Sequence, residues 1–153
     1  MTKFLFFFFF IGIANTSLCQ SGYPYQDIKL EKPSDYKGTE PLALNAATFL
    51  ISTPFSEKDI SRAQAIKFLT TWVMGAKEYQ FYLKGKVEEI LEERNLLGLY
   101  IAAMVKFSLE NKTISTNPMI VEINASKLVI TYCDEPKNNF KLKKKYRKVL
   151  EKN

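Results

Sequence analysis

The sequence contains no histidine in 153 residues. That absence removes the commonest general base, the commonest metal ligand and every Ser-His or Cys-His nucleophile arrangement. Cysteine occurs only at positions 19 and 133. Outside the C-terminal segment, arginine is confined to Arg62 and Arg94. No glycine-turned loop of Asp and Asn ligands suggests calcium, and no repeat of fixed period appears. These gaps argue against most enzyme chemistry. The chain is expected to be non-enzymatic, with no cofactor and no metal.

Positive charge is present but unevenly spread. The formal net charge is +6, yet residues 20–136 carry thirteen basic and fifteen acidic side chains. Residues 137–153 carry eight Lys or Arg against one acid, Glu151. The basic character therefore belongs to a tail, not to a basic domain.

The N-terminus has a lysine, Lys3, followed by an apolar run over residues 4–14 that holds six of the twelve phenylalanines. A short cationic start, an apolar stretch of ~7–15 residues and a small-residue exit form the pattern of a cleavable signal peptide. As a helix the run spans ~16 Å, about half the hydrocarbon core of a bilayer. Residues 1–19 are thus read as a leader, and the protein as exported, periplasmic or secreted. Ser17 and Cys19 favour cleavage after Cys19, with Gln20 an alternative; Leu18 before the cysteine disfavours lipidation. If Cys19 leaves, Cys133 stands alone, either buried near a helix end or paired between chains.

The remainder suits one domain. Residues 20–38, broken by Pro24, Pro33 and Gly38, lack any apolar period and are expected to form an extended arm. Thr39, Glu40 and Pro41 open a first helix that stops at Ser52-Thr53-Pro54. A capping box of Ser56 and Asp59 precedes the stripe Ile60, Ala63, Ile66, Leu69 and Val73, closed by Gly75. Residues 87–94 form a short amphipathic helix. Residues 96–109 are apolar nearly all round, as in a central helix. Asn117-Pro118 opens another helix, ending at Asp134-Glu135-Pro136. A final helix carries Phe140, Leu142, Tyr146, Val149 and Leu150. The expected fold is all-α: a small antiparallel bundle-like domain of five to six helices over residues 39–136, followed by a basic C-terminal helix over 137–153.

Three clusters could carry function. Lys141, Lys143, Lys144, Lys145, Arg147 and Lys148 form a dense basic group, beside a greasy side that could dock on the domain or on a membrane. Nucleic acid is not the expected partner, because the protein is exported and the cluster is poor in arginine and stacking aromatics. Trp72, Tyr79, Phe81 and Tyr82 could line a ligand pocket or fill the core. Glu88, Glu89, Glu92 and Glu93 read as a solvated face, because nothing drives their pKa values apart. Arg62 with Asp59 reads as surface pairing, and Lys137 as the neutraliser of Asp134-Glu135.

Residues 52–54, the run 62–69 with Trp72 and Gly75, the segment 97–104, and Tyr132-Cys133 before residues 136–139 resemble a group of short exported bacterial helical proteins. A looser similarity is to small periplasmic helical proteins such as immunity proteins and acid-stress chaperones. The resemblance brings no activity and no catalytic residue; the expected role is a non-enzymatic domain that binds a protein partner in the cell envelope. Association with an anionic membrane surface and small-molecule binding are the alternatives.

Overall fold

The computed structural model describes Tyr25 and residues 27–152; the leader, Cys19 and the cleavage point lie outside these residues. Seven α-helices and no strand occur among the described residues. They are α1 (Pro33–Gly38), α2 (Glu40–Ser52), α3 (Ile60–Gly75), α4 (Lys86–Ile90), α5 (Arg94–Glu110), α6 (Pro118–Asp134) and α7 (Lys144–Glu151), with a 3₁₀ turn at Pro136–Asn138. The all-α expectation holds, with seven helices in place of five to six. No helix among the described residues is long and apolar enough to cross a membrane.

The local chemistry explains the helix ends. Thr39 and Pro41 open α2, though the Thr39 hydroxyl donates to the carbonyls of Asp35 and Tyr36 instead of capping α2. Asp59 itself is the N-cap of α3, its carboxylate accepting from the N–H groups of Ser61 and Arg62. The expected box led by Ser56 is therefore replaced by a simple acidic cap, which also suits the helix dipole. Asn117 caps α6 by accepting from the Met119 N–H.

α5 is the central helix, packed against α2, α3, α4 and α6. Its buried residues include Leu96, Leu99, Tyr100, Ala102, Met104 and Val105, which lie on every side of the helix. α3 approaches it closely at Gly98, where a Cβ would fall 2.6 Å from Ile66 Cδ1. Alanine-rich α2 contributes Ala43, Ala46 and Ala47, all fully buried, and so lies close to its neighbours.

Three boundaries differ from expectation. The arm is not extended throughout: Pro33 starts α1, which is held by Tyr36 lying over Gly75, where no Cβ could be accommodated. The helix expected over 87–94 ends at Ile90, and the chain turns before Arg94 starts α5. The final helix begins at Lys144. Ahead of it, Phe140 anchors an irregular stretch against Phe55 at 5.0 Å and Tyr132 at 6.3 Å between ring centroids.

Candidate functional site

α7 decides how the basic cluster can act. Tyr146, Val149 and Leu150 are buried against the domain, where α7 meets α4 and α6. The greasy side is thus docked on the domain, one of the two options its composition allows. Three cations of the segment are also engaged: Lys143 with Glu93 at 2.6 Å, Lys152 with Glu89 at 2.8 Å, and Arg147 with Asp134. The Glu93 carboxylate holds Lys143 above the usual lysine range, and Arg147 holds Asp134 below the usual carboxylate range. The glutamate run is accordingly not simply solvated, since two of its four members clamp α7. Asp134 is neutralised by Arg147, while Lys137 stands 3.9 Å from Glu135.

Lys141, Lys144, Lys145 and Lys148 remain exposed, with no acidic partner among the described residues. Helical geometry puts Lys144 and Lys148 opposite the buried side of α7. Lys145 lies 4.4 Å over the Tyr146 ring. The six basic residues therefore divide into a clamp (Lys143, Arg147) and an outward face.

Trp72 and Phe81 pack as a plug, while the outer side of Tyr79 lines a cavity of about 250 Å³ with Glu40, Lys112 and Ser115. Trp72 is fully buried, and its Nε1–H donates to the Tyr36 carbonyl and to Thr39 Oγ1, each at 3.1 Å. Its ring meets Tyr79 at 5.6 Å and Phe81 at 6.0 Å. Tyr82 is 48% exposed and stands apart from this stack. The void beside Trp72 measures only about 30 Å³, room for roughly one water. Tyr79 donates to Glu40 at 2.8 Å, and Lys112 pairs with the same carboxylate at 2.6 Å. Burial, followed by the Glu40 bond, pushes the Tyr79 hydroxyl up to about 12. Burial opposes the Glu40 carboxylate, yet Lys112 and Tyr79 together lower its pKa.

Two buried cations escaped sequence reasoning. Arg62 is 3% exposed and does not pair with Asp59. Its guanidinium donates to the Leu50 carbonyl and to the carbonyl and hydroxyl of Thr53, closing the end of α2 between the Phe49 and Phe55 rings. Lys86 is 6% exposed. Its Nζ donates to Ser126 Oγ at 3.2 Å and to the Leu150 carbonyl at 3.3 Å, with Glu122 at 3.5 Å. Behind them lies Tyr100, whose buried hydroxyl has no hydrogen-bond partner. Burial, and then Glu122, raise its pKa. Beside Lys86 a cavity of about 200 Å³ opens between α6 and α7. A larger one, of about 390 Å³, separates Tyr25, Ile28 and Leu30 from α3.

No family model, curated protein or solved structure matches this chain.

Proposed function

We propose that this is a non-catalytic binding protein, working outside the cytoplasm, that holds an acidic lipid surface through the outer face of α7. The observation that carries this reading is the exposed set Lys144, Lys145 and Lys148 on α7, with Lys141 in the stretch before it, all without an acidic partner among the described residues and beside an apolar side that is already docked. Such a face adsorbs electrostatically and does not insert. Each lysine near an anionic surface contributes about 1 kcal/mol, so four give a useful but salt-sensitive attraction. A protein partner, by contrast, requires an apolar or aromatic anchor at the centre of the contact. The outer face of α7 carries Lys144 and Lys148 with Glu151 at its end, and no apolar or aromatic side chain. Export rests on the reading of residues 1–19, and the non-catalytic assignment on the missing histidine.

Co-sedimentation with phosphatidylglycerol-containing vesicles tests this. Binding is expected at low salt, with none to pure phosphatidylcholine vesicles. Replacing the four lysines by glutamine should weaken it by ~10²–10³-fold with thermal unfolding unchanged. Deleting α7 is the wrong control, because Tyr146, Val149 and Leu150 belong to the core. Equal binding by wild type and the quadruple variant would sink the proposal.

A further inference from the structure

The α6–α7 cavity combines features that the vesicle reading does not use. An ammonium has three protons to donate. Lys86 directs two of them to neutral acceptors, Ser126 Oγ and the Leu150 carbonyl. Its one carboxylate neighbour, Glu122, stands at 3.5 Å, beyond the usual 2.7–3.2 Å of an N–H···O bond. A cation so deeply buried, with so loose a counter-ion, favours an additional negative charge beside it. Ser126 accepts from Lys86 and stands beside the buried Tyr100 hydroxyl, where it works against the rise of the tyrosine pKa. Lys127, exposed and without an acidic partner among the described residues, stands at the rim.

The rest of the lining is aliphatic. Ile123, Ile130 and Leu150 complete the wall. Ile123, Ser126, Lys127 and Ile130 recur at three- and four-residue spacing, so α6 presents a charged centre flanked by apolar ends. Glu151 at the far rim lies 3.8 Å from Arg147. At about 200 Å³ the space is smaller than the ~300–1,000 Å³ of drug-sized sites. It fits a short alkyl chain, or the first part of a longer one.

We propose that this cavity binds an anionic amphiphile: an acid group on Lys86, steered by Lys127, with an alkyl chain along Ile123, Ile130 and Leu150. The site is separable from the vesicle-binding face, because Leu150 lies on the inner side of α7. A carboxylate from a free fatty acid and a phosphate from a lipid share this chemistry.

Calorimetric titration of the full chain with octanoate, octyl phosphate and octanol tests it, alongside methyl NMR of Ile123, Ile130 and Leu150. Octanoate or octyl phosphate should bind one per chain and shift those methyl signals. Octanol, lacking the charge, should bind at least about tenfold more weakly. Tighter binding of octanoate assigns the site to fatty acids, and tighter binding of octyl phosphate to phospholipids. Lys86→Met should abolish binding. Should it fail to fold, two milder variants decide. Lys127→Gln should weaken binding about threefold, and Ile130→Trp, which fills the groove and leaves the charges, should remove it. The quadruple glutamine variant should still bind. No binding of either acid, octanol matching octanoate, or an Ile130→Trp protein that binds normally would overturn the proposal.

Discussion

Two regions of this molecule use the same device to different ends. At the α2–α3 junction, Arg62 is buried and holds the carbonyl end of α2. At the α4–α7 junction, Lys86 is buried and holds the Leu150 carbonyl near the end of α7. Both place a cation at the negative end of a helix dipole, where it is stabilising. The surroundings differ. Arg62 lies between Phe49 and Phe55, and its region is closed further by Tyr132, whose hydroxyl also donates to the Thr53 carbonyl at 2.8 Å. Lys86 borders open space. The planar Arg62 guanidinium holds three acceptors through its two terminal nitrogens and stacks on rings, although its buried Nε–H has no partner. A point-charge ammonium with a loose counter-ion leaves capacity for a ligand. The first region is covered by rings, and the second borders a cavity.

That contrast can be broken by experiment. The largest effect is expected at the closed junction. Arg62→Met should cost about 3 kcal/mol, since it strands the α2 carbonyls and removes bonds to a charged donor. Urea unfolding would show one cooperative transition moved as a whole. Lys86→Met should cost only about 1–2 kcal/mol, and locally. Amides of α7 should exchange faster by hydrogen exchange, while those of α5 keep their protection. A uniform loss of protection would erase the distinction between the two regions. Smaller still is Glu93→Gln, which removes a clamp on Lys143 and should change stability by less than about 1 kcal/mol.

Acid sharpens the comparison at the α7 side. Arg147 lowers the pKa of Asp134 in the folded protein. A carboxyl with a depressed folded pKa contributes stability above its unfolded pKa, near 3.9, and that contribution disappears as pH falls through the folded value. The docking of α7 should therefore weaken on acidification below about pH 4. Asp134→Asn should flatten that part of the thermal melting curve against pH. An unchanged slope would mean that the pair does not hold α7.

The sequence revealed the elements whose cause is local. Asn117 and Pro118 mark a helix start by their own chemistry, and the apolar surround of α5 marks it as central, whereas the cap of α3 is Asp59 and not Ser56 as expected. The helix at α1 was hidden because its support comes from far away: Trp72 donates to the Tyr36 carbonyl, and Tyr36 lies over Gly75. Trp72, Tyr79 and Phe81 are equally compatible with a pocket or a plug in sequence. At Trp72 the small void and the satisfied indole decide for the plug, whereas Tyr79 also borders a larger cavity. Lys86 gave no signal at all. A lysine before two glutamates reads as surface, and its burial depends on Ser126 and Leu150, 40 and 64 residues away.

Cys133, near the end of α6, gives the fold a redox character. The thiol is half-buried, and burial, reinforced by Asp134, pushes its pKa up to about 12. At neutral pH only about one molecule in 10⁵ then carries the reactive thiolate. The thiolate is the form that attacks disulfides and oxidants, so burial makes this sulfur a slow nucleophile. The unfolding midpoint should be identical with and without reductant, and crosslinking of two chains through Cys133 should require α6 to open first.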